Sequence, residues 1–199
     1  MRVQNRTANS VSLDMQWLTR VGGIAAIVLA AAYIIVILLY AAAGAPPTGG
    51  EAWLIYLYGK TALWWAILGF SILTDFLFVP VAFALYFALK GVNRTAALIG
   101  AAFLGLFAVL DLAVTWPQYA ALITLSSGYA AISDAVQQGV YVAAASYADS
   151  ALQYSQAIYS ILVPSFGILL IALVIDLVKR DDAAGTWQAS HFRWRVRTV

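Results

Sequence analysis

The sequence contains no cysteine, a single histidine and three lysines, and only 10% of its 199 residues are charged. Without cysteine there is no disulfide, thiolate metal site, iron–sulfur cluster or thiol nucleophile. His191 stands alone in the C-terminal tail, which excludes a bis-histidine haem, a zinc-protease pair and a binuclear copper centre within one chain. Lys60, Lys90 and Lys179 all sit at the ends of apolar runs, so a Schiff base in mid-membrane is excluded as well. A soluble domain normally has about 25% charged and about 45–50% apolar residues. Here 63% are hydrophobic and the mean hydropathy is +0.86. The solvent for this chain is lipid, and the expected location is a cell's inner (plasma) membrane, crossed several times.

Four runs meet the roughly 20 residues needed to cross about 30 Å of hydrocarbon: 21–43, 61–89, 95–125 and 155–178. They define an all-α transmembrane domain, residues 21–178, between an N-terminal segment (1–20) and a basic tail (179–199). The first run is about twice as long as the core of a cleaved signal peptide, which argues for a retained span. Basic residues cluster in the N-terminal segment, in the turn carrying Lys90 and Arg94, and in the tail. The positive-inside rule therefore predicts a four-helix bundle with both termini cytoplasmic.

On the other side, residues 127–153 space Tyr129, Ile132, Val136, Val140, Ala144 and Tyr147 at steps of three or four. This predicts an amphipathic outer helix that lies on the membrane or extends the fourth span. Pro46 to Gly50 reads as a turn, and Trp53, Tyr56, Tyr58, Trp64 and Trp65 as an interfacial aromatic belt. Gly22, Ala26 and Ala30 in the first span, and Ala97, Ala101 and Gly105 in the third, repeat every four residues and read as helix-packing seams.

The informative residues are the acids inside spans. A charged Asp at a helix centre costs about 2.5–3.5 kcal/mol on insertion scales, so it must face the bundle interior, be neutralised or be paired. Asp75 lies 14 residues from Leu89 and Asp111 lies 16 from Thr95, about 21 and 24 Å from the cytoplasmic ends. The two spans are joined by a short turn, so the carboxyls are expected to meet. The same ruler puts Tyr33 and Ser165 at this depth, giving a polar layer of Tyr33, Asp75, Asp111 and Ser165. Ser71 shares a helical face with Asp75, while Thr115 and Gln118 share one with Asp111, as if lining a wet vestibule toward the outer surface. Two carboxyls in low dielectric do not both ionise cheaply, so the layer is read as holding a shared proton or a bound cation. Ahead of this stands a structural reading, a protonated Asp serving as an interhelical hydrogen bond worth about 0.6 kcal/mol, and beside it a contact with a partner subunit. Asp176 reads as an exposed partner of Lys179 and Arg180.

Three stretches carry a resemblance: Leu18-Thr19-Arg20-Val21-Gly22-Gly23-Ile24-Ala25-Ala26; Asp75-Phe76-Leu77-Phe78-Val79-Pro80 with Leu85-Tyr86-Phe87-Ala88-Leu89; and Tyr129-Ala130-Ala131. They resemble a family of uncharacterised prokaryotic multi-pass membrane proteins, over about residues 17–180. The resemblance implies a polytopic helical bundle and brings no activity or catalytic residue. Such proteins carry further spans after the one ending near Val178, whereas this chain has a short tail.

The first expectation for function is a non-enzymatic accessory or scaffolding subunit with a buried acidic layer, working with a protein partner or as a homo-oligomer. The alternative is a small proton- or cation-coupled transporter using Asp75 and Asp111. An intramembrane aspartyl protease would need flanking glycine motifs that neither Asp has. No catalytic residue, metal ligand set or cofactor site is indicated. Arg193, Trp194, Arg195 and Arg197 suit a lipid surface, and nothing points to nucleic acid.

Overall fold

The computed structural model describes the backbone of residues 2–196 and the side-chain surroundings of residues 17–179 apart from Asp176. The readings of the basic N-terminal segment, of Asp176 and of the basic tail lie outside those side chains. The described residues form helices joined by short turns, with no strand among them: α1 (Arg2–Ala43), α2 (Gly50–Leu57), α3 (Thr61–Leu89), α4 (Arg94–Leu110), a π-helical turn (Asp111–Thr115), α5 (Trp116–Ala130) and α6 (Ala135–Val196). Four helical stretches are long and apolar enough to cross a membrane: Trp17–Ala43, Thr61–Leu89, Arg94–Ala130 and Ala135–Lys179.

The second span matches its expected bounds, and the others run longer. The third, 37 residues, is about 55 Å long, well beyond a hydrocarbon core. The fourth begins at Ala135 and continues without a break, so the segment before residue 155 extends that span. One element was not expected: α2, where only a turn and an aromatic belt were read. It is a two-turn helix wedged between α5 and α6. Gly50 makes the approach possible, because a Cβ there would lie 2.4 Å from the Ser146 backbone nitrogen. Ser126 Oγ donates to the Leu54 carbonyl at 2.7 Å from the α5 side.

The α1–α3 seam differs from the expected four-residue stripe. Gly22, Ala25, Ala32, Val36 and Ala43 are buried, whereas Ala26 and Ala30 are exposed. A step of four residues advances about 400° around a helix of 3.6 residues per turn. The row therefore drifts about 40° per step, and a seam has to alternate threes and fours. Gly22 is its tightest point: a Cβ there would meet the Ala84 Cβ at 2.1 Å. On α4 the close approach is at Gly100, where a Cβ would come within 2.8 Å of Leu169, while Gly105 has open space in front of it. Among the described residues α1 packs extensively only along α3, and α6 packs on α4, so there α1 is an outrigger on a core of α3, α4 and α6.

Two apolar cores result. One, at the α2 end, gathers Trp53, Leu54, Trp64, Ile67, Trp116 and Leu122. The other, at the α3–α4 turn, gathers Phe78, Leu89, Leu104, Phe107 and Leu169. On α3 the break between them falls at Asp75, and on the third span at Asp111.

Candidate functional site: a buried carboxyl pair at a helical break

Asp75 and Asp111 are each 1% exposed, with no Arg or Lys between residues 61 and 89 or between 95 and 178. They lie within electrostatic reach of each other, and each is bonded to an aromatic donor. The Trp116 indole N–H donates to Asp75 Oδ2. The Tyr159 hydroxyl donates to Asp111 Oδ2 at 3.5 Å. The other oxygen of each carboxyl, Oδ1, is buried without a hydrogen-bond partner. Buried polar atoms are paired in the great majority of proteins, so two orphaned acceptors in one layer mark a place where a proton or another donor is expected.

The local sequence explains the break. Pro117 has no N–H, and the turn before it widens so that the Trp116 N–H reaches back five residues to the Asp111 carbonyl. Single π-turns of this kind inside α-helices are frequent at functional sites. The extra residue per turn rotates α5 relative to α4, aiming both Asp111 and Trp116 inward. Thr115 ends the π-turn; its Oγ1 lies beside the Asp111 carboxyl and completes no hydrogen bond of ordinary geometry.

Of the expected layer, the structure brings together Asp75, Asp111 and Tyr33, whose hydroxyl lies near Thr74 and both acids. Ser165 does not join it. Its hydroxyl donates to the Ile161 carbonyl on its own helix at 2.6 Å. It sits one layer deeper, next to Phe166, which meets Phe78 edge-on at 6.0 Å. The α6 hydroxyl that reaches Asp111 is that of Tyr159, six residues outward of Ser165. The residue ruler failed here because it assumes that all helices start at one plane.

The expected open vestibule is closed. Ser71 and Thr115 are buried, Thr74 Oγ1 donates to the Ser71 carbonyl at 2.6 Å, and Gln118 is half-buried on α5. The space between the acids and α2 is filled by rings. Trp64 stacks on Tyr119 at 5.5 Å, meets Tyr40 at 5.6 Å and Trp53 at 5.5 Å, and Trp116 meets Tyr119 at 5.7 Å. The hydroxyls of Tyr40 and Tyr119 face each other within this stack. At its rim the Tyr56 hydroxyl donates to the Ala43 and Gly44 carbonyls at 3.0 and 2.8 Å; burial pushes this phenol above its ordinary pKa. Lys60 Nζ lies 4.1 Å over the Tyr56 ring and donates to the Ala43 carbonyl. On the opposite side of the acids the described side chains nearest them are rings. Phe78 contacts Tyr33, Phe107 and Phe166, a plug of rings from four helices.

A third buried acid, Asp149, is structural and was not singled out from the sequence. Asp149, on the part of α6 that packs on α2, accepts the Gly49 N–H at 2.9 Å and the Trp53 indole N–H at 2.8 Å. It fastens α2 to α6, so Trp53 is a buried anchor and not an interfacial belt residue. Among the described residues, no three His, Cys, Asp or Glu side chains converge. Comparison with family models, with curated proteins and with solved structures finds no match for the chain. The resemblance drawn from the sequence therefore gains no support.

Proposed function

We propose that the protein is a small, non-enzymatic proton- or cation-coupled membrane transporter in which Asp75 and Asp111 hold the coupling proton. One observation carries this reading: two fully buried carboxyls at a π-turn, each with one unpartnered oxygen and with no basic residue in their spans. A proton shared within the pair removes the charge that low dielectric penalises. A cation would do the same with the hydroxyls of Thr115, Tyr33 and Tyr159 completing its shell. Exchange runs toward the α2 end, where Tyr159, Tyr119, Tyr40 and Tyr56 supply hydroxyls, while the Phe78 plug closes the other end in this conformation. The positive-inside rule supports reading both termini and the α3–α4 turn as cytoplasmic, in a cell's inner (plasma) membrane.

Proteoliposomes carrying an internal pH dye test the reading. The wild-type protein is expected to speed collapse of an imposed pH gradient, and Asp75→Asn and Asp111→Asn to return it to the protein-free rate. Equal rates for all three proteins would overturn the reading.

A second reading, an accessory subunit or homo-oligomer, is favoured by the outrigger position of α1. Ile24, Ile27, Ile34, Ile37 and Leu38 are exposed away from α3, a long face that another helix could cover. It predicts a stoichiometric partner, or a second copy, on size-exclusion chromatography in mild detergent.

A further inference from the structure

The two orphaned carboxyl oxygens are not the only unmatched lone pairs at the helical break. Thr115, 2% exposed, holds its Oγ1 beside the Asp111 carboxyl, and this oxygen too has no hydrogen-bond partner. The backbone of the same turn adds a fourth. The Trp116 N–H, which an α-helix would give to the Leu112 carbonyl, goes to the Asp111 carbonyl instead. The next N–H along, which a π-turn would give to Leu112, is missing because residue 117 is proline. The Leu112 carbonyl therefore has neither of its helical donors, in a span where lipid offers no other.

A shared proton does not account for this set. It joins Asp75 Oδ1 to Asp111 Oδ1 in one O–H···O bond and leaves Thr115 Oγ1 and the Leu112 carbonyl as they are. A cation draws on all four, each of them a hard oxygen ligand. Backbone carbonyls freed at breaks in membrane helices are a recurrent source of ligands for small cations. Residues 21–59, 61–89 and 95–178 contain no Arg, Lys or His to compete for the acids. The titratable groups facing the pair are phenols: Tyr33 and Tyr40 from α1, Tyr119 from α5 and Tyr159 from α6. The number of oxygens and their charge select the ion. Calcium takes about six to eight oxygens and magnesium keeps several waters, and four free oxygens among the rings of Trp116, Phe107 and Tyr159 suit neither. A single positive charge is also what the shared proton supplies, so a monovalent ion takes its place without changing the charge of the layer.

We propose that the break binds one sodium-sized monovalent cation in place of the shared proton, through Asp75 Oδ1, Asp111 Oδ1 and Thr115 Oγ1, with the Leu112 carbonyl completing the set. The assignment rests on the transport reading of the acid pair and names what is exchanged. One proton leaves the pair for each sodium ion that enters, and the charge of the layer stays the same.

The test is binding of radiolabelled sodium to the full chain in detergent, at constant ionic strength in choline chloride. One sodium per chain is expected, with one proton released to a pH dye and little displacement by an equal concentration of potassium. Thr115→Val keeps the shape of threonine and strands no partner, because Oγ1 has none. It is expected to weaken sodium binding at least about tenfold, the least that even the outer partners of a metal ion cost, and Thr115→Ser to restore it. No sodium bound by wild type, potassium bound as tightly, or unchanged binding by Thr115→Val would overturn the assignment. The pH-gradient assay, run once in sodium and once in choline, separates the site from the reading beneath it. Collapse as fast in choline as in sodium overturns the sodium site and leaves proton transport standing. No collapse in either salt overturns the transport reading, and the exchange with it.

Discussion

The indole N–H of Trp116 donates to Asp75 across the contact between α5 and α3, joining residues 41 positions apart. It ties the start of α5, just past the π-turn, to the middle of the second span, and leaves Asp75 with one satisfied and one orphaned oxygen. The acid pair and the helical break are thus one structural unit.

Substitutions at Asp75 should separate charge from packing. Asparagine keeps an acceptor oxygen for the Trp116 N–H, so Asp75→Asn is expected to retain wild-type thermal stability in detergent while losing proton-coupled flux. Asp75→Ala strands the indole N–H in the core, which costs about 1–3 kcal/mol, and its midpoint of thermal unfolding should fall. Light-scattering or intrinsic-fluorescence melts read both.

Gly22 and Ala26 lie one turn apart on α1 and should respond oppositely. Gly22→Leu drives a side chain into Ala84 and the Pro80 carbonyl, and overpacking of this kind costs about 1–3 kcal/mol. Ala26→Leu places the same side chain on an exposed face and is expected to shift stability by less than about 0.5 kcal/mol. Melting the two variants side by side checks the seam.

Asp149→Ala removes the acceptor of both the Gly49 and Trp53 N–H groups. Leaving the Trp53 indole unpaired costs about 1–3 kcal/mol, which lowers local protection of α2 by about 5- to 150-fold. Hydrogen exchange should rise over residues 49–57 and stay unchanged in the central part of α3.

Phe78→Ala takes out the ring at the centre of the plug. The cavity is expected to cost about 3–5 kcal/mol and to open the acid pair to the α3–α4 side, so that proteoliposomes leak protons. Phe78→Leu keeps most of the volume and should keep the seal.

Much of this was legible in the sequence. Apolar run length placed the second span at Thr61–Leu89 as observed, and the residue ruler brought Asp75 to the depth of Asp111 because both lie on neighbouring helices joined by a short turn. The ruler could not find Tyr159 in place of Ser165, since the starting plane of α6 depends on how the outer helices pack. Pro117 was visible, but its widening of the preceding turn, which aims Trp116 at Asp75, depends on tertiary space. The Trp53–Asp149 bond spans 96 residues and leaves no local trace: Trp53 reads as a belt residue and Asp149 as a polar-face charge of the amphipathic stretch until α2 and α6 are placed side by side. α2 was hidden for the same reason, because eight residues make a stable helix only when docked.

The central claim is that Asp75 and Asp111 share an exchangeable proton, and carboxyl infrared difference spectroscopy in nanodiscs reads it most directly. Wild type should show a protonated-carboxyl stretch that titrates, shifts on Asp111→Asn, disappears on Asp75→Asn, and responds when sodium, potassium or calcium is added. A stretch that persists across the accessible pH range and ignores both the partner's removal and every cation would contradict the claim, leaving the pair as interhelical glue.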